Sequence, residues 1–142
     1  MTPRVRDTPP PVSRLDDSFQ PLLERAREYP VLLRFGAPVE YELALELQQL
    51  LVDQIYHEQL RPVILALEHP LVVTLGRSAP DDEAALATAP VWRTHRGGHV
   101  TVHGPGQLVC YPIFDLRRSP WSVVPYVRRL EQLLAGTCRR LG

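Results

Sequence analysis

R-G-G-H-V-T-V-H-G-P-G-Q, residues 96–107, is the stretch of this sequence that decides its fold. The alternation over residues 99–103 predicts a strand with His99, Thr101 and His103 on one face and the two valines on the other. Gly104-Pro105-Gly106 follows, with proline and glycine in the second and third places of a type II turn. The stretch therefore predicts a polar strand face that ends in a tight turn.

Two features before this strand indicate a ligand site. Gly97 and Gly98 carry no side chains, so a ligand can approach the backbone and accept hydrogen bonds from its N–H groups. Arg96 adds a fixed positive charge with a planar set of donors. We interpret the run as one wall of a pocket for a small molecule, with Gln107 as a further amide. The alternative from the residues alone is a glycine-rich turn between surface strands.

The order of predicted elements favours an α+β fold with one mixed or antiparallel sheet and two packed helices. A stripe of leucines at helical spacing predicts a long helix over residues 38–59, and Ser122 is a suitable N-cap for a second helix. Compact apolar runs predict the strands. The expected strands cover residues 31–35, 63–67, 71–75, 91–94, 99–103 and 108–115.

The length of 142 residues predicts a single domain. Residues 1–20 are rich in proline and predict a flexible tail, which leaves residues 21–142 for the folded domain. A net charge of zero gives no electrostatic case for nucleic acid or an anionic membrane as partner. No long apolar run or secretion signal is present, so we expect a cytoplasmic protein without membrane contact.

Residues 96–116 resemble the signature of the octanoyltransferases of lipoate biosynthesis, also called lipoyl/octanoyl protein ligase B. The upstream segment L-E-H-P-L-V-V-T-L-G-R, residues 67–77, is similar to a second segment of that family. The resemblance covers residues 31–142 and implies the fold of the biotin and lipoate ligases. It assigns acyl-substrate binding to Arg96, Gly97, Gly98, His99, Val100, Thr101, Val102 and His103.

The resemblance also implies a reaction and its partners. Octanoyl-acyl carrier protein would donate the octanoyl group, and a lysine on a lipoyl domain of a 2-oxoacid dehydrogenase or glycine cleavage protein would accept it. No cofactor is implied.

The sequence departs from the family in several places. His99 stands where the family usually has glutamine. The family uses a cysteine and a lysine beyond the point where this sequence ends, whereas all sixteen basic residues here are arginine. We therefore expect a C-terminally truncated domain that holds the acyl-binding part, lacks catalytic residues and is inactive alone. An unpaired strand edge or exposed apolar patch should remain.

The two cysteines are interpreted as packing residues and not as nucleophiles. Cys110 lies in a strand whose composition predicts burial, and Cys138 lies on the apolar stripe of the last helix. Two further stretches with ionisable side chains are interpreted as structural rather than catalytic. We interpret His69 as a turn residue with local hydrogen bonds and Asp81-Asp82-Glu83 as solvated loop.

Two other functions remain open beside that of an octanoyltransferase. A natural remnant that binds acyl carrier protein or a fatty acid without catalysis fits the missing segment. An adenylating lipoate or biotin ligase shares the fold, but it needs a lysine too. The histidines at positions 95, 99 and 103 are four residues apart, so they could bind a metal together only on a helix. Gly97 and Gly98 disfavour a helix here, so no metal is expected.

Overall fold

The computed structural model describes residues 5–6, 20–85 and 87–142. Most of the predicted tail over residues 1–20 lies outside the described residues, so its flexibility stays a prediction. The strands are β1 (Val5–Arg6), β2 (Val31–Arg34), β3 (Val63–Leu67), β4 (Val72–Leu75), β5 (Val91–Arg93), β6 (Val100–His103) and β7 (Val109–Ile113). The helices are α1 (Gln20–Glu28), α2 (Tyr41–Tyr56) and α3 (Val123–Leu141), with 3₁₀ turns at Asp81–Ala84 and Leu116–Arg118.

The predicted α+β class is confirmed. The strands form two mixed sheets, however, and not the single sheet that was expected. Sheet A has the order β1-β5-β4-β6, with β6 antiparallel to β4 and the other pairs parallel. Sheet B has the order β2-β3-β7, with β2 parallel and β7 antiparallel to β3. The chain passes from sheet B to sheet A after β3 and returns after β6, at the two turns predicted from sequence.

The main core lies between α2 and sheet B. Leu47, Leu51 and Ile55 recur at helical spacing and are buried against Val63 and Leu65 of β3. Full burial of such a side chain contributes about 1.5–3 kcal/mol relative to exposure. The helix α1, which the sequence did not predict, adds Ala26 to this core.

The last helix differs from expectation. It begins directly after Ser122, but none of its residues is buried. The predicted apolar stripe includes Leu134 and Leu141, which are 68% and 84% exposed. A stripe at helical spacing packs only where another element covers it, and no described element covers this one. The predicted exposed apolar patch is therefore present, and it lies on α3.

The prediction that both cysteines pack in the core is wrong, since Cys110 and Cys138 are exposed. Cys110 lies on β7, the edge strand of sheet B, where Tyr111 and Ile113 turn toward the core and Cys110 toward the opposite face. Cys138 lies on the uncovered stripe of α3. Among the described residues, no helix is both long and apolar enough to cross a membrane.

Candidate functional site

A glycine loop, residues 96–99, lies against the segment that follows β4; we call it the signature loop. The N–H groups of Gly76 and Arg77 donate to the carbonyls of His99 and Arg96, each at 3.0 Å. A Cβ atom on Gly76 would stand 2.2 Å from the Gly98 carbonyl oxygen. Gly76 is thus required for the loop to approach this closely.

The two glycines of the loop are exposed. Gly98 has a φ of +80°, a conformation that side chains rarely adopt, and a Cβ on Gly97 would meet nothing within 4 Å. Within the described ranges, no group accepts a hydrogen bond from the N–H of Gly97 or Gly98. These donors are therefore available to a ligand oxygen.

Arg96 is half-buried and held by the neighbouring strand. Its guanidinium donates to the carbonyl and the hydroxyl of Thr74, each at 2.8 Å, and to the Gly97 carbonyl at 3.1 Å. Thr74 is wholly buried on β4, and sequence reasoning gave it no role. No carboxylate of the described residues lies within 4.0 Å of Arg96. The guanidinium is thus a positioned charge without an anionic partner.

His69 joins the two sheets and does not make the local hydrogen bonds expected of it. It is wholly buried, with Nδ1 2.7 Å from the Val39 carbonyl and Nε2 2.7 Å from the Tyr111 hydroxyl. A carbonyl can only accept, so Nδ1 carries the proton and the Tyr111 hydroxyl donates to Nε2. Burial lowers the pKa of His69, which keeps the ring neutral.

Three further rings surround His69, and together they form the histidine–tyrosine cluster. The ring centres of Tyr41, His103 and Tyr111 lie 5.3, 5.8 and 6.0 Å from that of His69. Burial raises the pKa of Tyr41, which the charge of Arg96 partly opposes, and burial also raises the pKa of Tyr111. Both phenols therefore remain protonated donors at neutral pH.

The type II turn after β6 is confirmed. The N–H of Gln107 donates to the Gly104 carbonyl at 3.1 Å, and Gly106 has a φ of +84°. The N–H of Gly106 donates to the Glu68 carboxylate at 2.7 Å, which ties this turn to the turn between the sheets. The Gln107 amide contacts Nδ1 of His103 at 2.7 Å, so it orients a cluster residue.

The strand predicted in the signature begins one residue later than expected. Thr101 and His103 are half-buried, while Val100 and Val102 are 40% and 52% exposed on the outer side. His99 precedes the strand, and its Nδ1 is 2.6 Å from the Glu83 carboxylate. The polar face is thus the inner one, but His99 is not part of it. None of the described histidines belongs to a cluster suited to a metal ion.

A groove of about 570 Å³ runs between α2 and the residues before the signature loop; we call it the α2 groove. The surface of the groove as a whole is mainly apolar, although Gln48, Gln49 and Asp53 lie on its helix wall, and its opposite wall ends at Arg96. The groove suits a molecule with an alkyl chain and one polar end. Its lining consists of Tyr41, Leu45, Gln48, Gln49, Val52, Asp53, Tyr56, Thr94, His95, Arg96 and Tyr111.

The two mixed sheets, with a glycine loop at the edge of one of them, form an α+β domain. The sequence model of the lipoyl protein ligase A/B catalytic domain matches residues 40–142, and the chain belongs to this family.

Three curated relatives are octanoyltransferases. The chain is 47% identical over 107 residues to that of Leifsonia xyli subsp. xyli, covering 75% of this chain and 47% of the relative. It is 41% identical over 118 residues to that of Corynebacterium efficiens, covering 83% and 47%. It is 45% identical over 113 residues to that of Streptomyces coelicolor, covering 79% and 42%. The resemblance found in the signature is thereby confirmed, and the chain spans about half the length of these relatives.

Proposed function

We propose that this chain provides the acyl-binding part of an octanoyltransferase of lipoate biosynthesis. The observation that carries the proposal is the fixed, unpaired charge of Arg96 at the end of the α2 groove. The alkyl chain would lie along α2, and the acyl oxygen would face Arg96 and the free N–H groups of Gly97 and Gly98. Such donors stabilise negative charge that develops on an acyl oxygen.

The donor and acceptor follow from the same proposal. Octanoyl-acyl carrier protein would deliver the acyl group, and a lysine of a lipoyl domain would receive it, in the cytoplasm. The proposal is supported by the membership of the chain in the lipoyl protein ligase A/B family and by its similarity to octanoyltransferases.

Octanoate binding to the 142-residue chain tests the acyl site. Isothermal titration calorimetry should show binding that Arg96→Gln weakens about tenfold or more, since a hydrogen bond to a charged group contributes about 1.5–3 kcal/mol. Arg77→Gln is the matched control, because Arg77 is an exposed neighbour that meets the loop through its backbone. Absence of octanoate binding, or equal weakening by both variants, would contradict the acyl site.

We further propose that the 142 residues alone bind the acyl group without transferring it. They contain no lysine to assist a thiolate, and the two cysteines lie in exposed positions outside the lining of the α2 groove. Incubation with octanoyl-acyl carrier protein and a lipoyl domain should leave the lipoyl domain unmodified by mass spectrometry. Turnover through an octanoyl thioester on Cys110 or Cys138 would overturn this proposal.

A further inference from the structure

The acidic stretch after β4 contacts the signature loop, although its sequence predicts a solvated loop. It forms the 3₁₀ turn Asp81–Ala84, which we call the acidic turn. The Glu83 carboxylate accepts a hydrogen bond from Nδ1 of His99 at 2.6 Å, at the end of the signature loop. The His99 side chain is 64% exposed and that of Glu83 is 31% exposed, so solvent screens this pair only in part.

The other end of the acidic turn is fixed by Arg93. The Arg93 guanidinium pairs with the Asp81 carboxylate and donates to the Ala79 carbonyl at 3.2 Å and the Gly76 carbonyl at 3.3 Å. It thus ties the turn to the segment whose N–H groups hold the signature loop. The backbone of Arg93 is itself in register with Leu75 of β4, so the arginine lies on a rigid strand.

These contacts connect Gly76 to the signature loop in two independent ways. The first connection is direct, because the N–H of Gly76 donates to a loop carbonyl. The second is indirect: Arg93 joins the Gly76 carbonyl to the acidic turn, and Glu83 of that turn contacts His99. We propose that the acidic turn sets the position of the signature loop, with Glu83 as a positioning residue that acts through His99. The effect on acyl binding rests on the proposed function, whereas the effect on the loop does not.

Amide hydrogen exchange measured by NMR on the full 142-residue chain tests the positioning directly. The amides of Gly76 and Arg77 are protected only while the loop is docked, because the loop carbonyls are their acceptors. Glu83→Ala should speed their exchange about two- to fivefold, the range expected for a partly exposed ion pair. Amides of α2 should be unchanged, which separates positioning from general loss of stability.

Three variants sharpen the test. Asp82→Ala is the matched control, since Asp82 is exposed in the same turn and its side chain has no partner in the described part of the chain. Glu83→Gln keeps an acceptor for Nδ1 and should restore most of the protection. In a His99→Ala background, Glu83→Ala should add no further change.

The outcomes separate this inference from the proposed function. Unchanged exchange at Gly76 and Arg77 in Glu83→Ala, or an equal change in Asp82→Ala, would overturn the positioning role. Octanoate binding should weaken by a smaller factor than protection in Glu83→Ala, because affinity follows the fraction of docked loop, which stays high, and it should stay unchanged in Asp82→Ala. If the unsubstituted chain binds no octanoate, the proposed function fails while the exchange result still decides the inference.

Discussion

The Tyr111 hydroxyl donates a 2.7 Å hydrogen bond to Nε2 of the wholly buried His69. Tyr111 belongs to sheet B, and His69 lies on the connection from sheet B to sheet A. The Val39 carbonyl fixes the proton on Nδ1, which leaves Nε2 as an acceptor. His69 therefore links the two sheets, and both nitrogens of its ring are hydrogen-bonded.

Removing the Tyr111 hydroxyl should destabilise the domain. Tyr111→Phe leaves Nε2 of His69 buried without a donor, which costs about 1–3 kcal/mol. Urea denaturation followed by circular dichroism measures the free energy of unfolding. Tyr29→Phe is the control, since Tyr29 is 67% exposed, and it should have no effect. Similar losses in both variants would show that the His69 contact contributes nothing.

Stability should fall in mild acid because of His69. Burial lowers its pKa below the ordinary value of 6.5, so the unfolded chain binds more protons than the native chain below that pH. The free energy of unfolding is therefore greatest above pH 6.5 and decreases as the pH falls through the folded-state pKa. Urea titrations from pH 8 to 5.5 should show that the free energy of unfolding decreases more in the unsubstituted chain than in His69→Asn. Parallel curves would argue against a neutral buried ring.

Gly76 should tolerate no side chain. In Gly76→Ala the new Cβ would lie 2.2 Å from the Gly98 carbonyl oxygen, so the signature loop must shift. We expect a loss of about 1–3 kcal/mol in the free energy of unfolding and weaker octanoate binding. Gly36→Ala is the control, because its Cβ would meet nothing within 4 Å and its φ is not positive. It should be neutral or stabilise by up to about 1 kcal/mol. Wild-type binding in Gly76→Ala would mean that the loop position is unimportant.

The apolar stripe of α3 should promote self-association. Leu134→Lys places a charge in a side chain that is 68% exposed, so it should change the free energy of unfolding by less than about 0.5 kcal/mol. Sedimentation velocity at several protein concentrations should show less association than in the unsubstituted chain. Gln132→Lys adds the same charge away from the stripe and should not reproduce the effect. A monomeric unsubstituted chain at all concentrations would contradict this expectation.

Local patterns in the sequence predicted most of the elements. The leucine stripe of α2, the apolar run of β3 and the type II turn at Gly104-Pro105-Gly106 each depend on residues close together in the chain. For the same reason, the alternation in β6 identified its two faces. It did not identify which face is the inner one, because that depends on the neighbouring strand.

The contacts that complete the site join distant residues, and no local pattern encodes them. Thr74 holds Arg96, and Glu83 holds His99, each across a loop. The sequence predicted an exposed apolar patch but not its place on α3, because a stripe shows which face would pack but not whether a neighbour is there.

The antiparallel pairing of β6 with β4 has a consequence for the order of folding. Among the described strands, β6 pairs only with β4, which is itself paired with β5 on its other side. The residues that precede β6 are held by the segment after β4, so they acquire their shape only when sheet A has assembled around that strand. The signature loop can therefore reach its native conformation only after β6 has paired with β4.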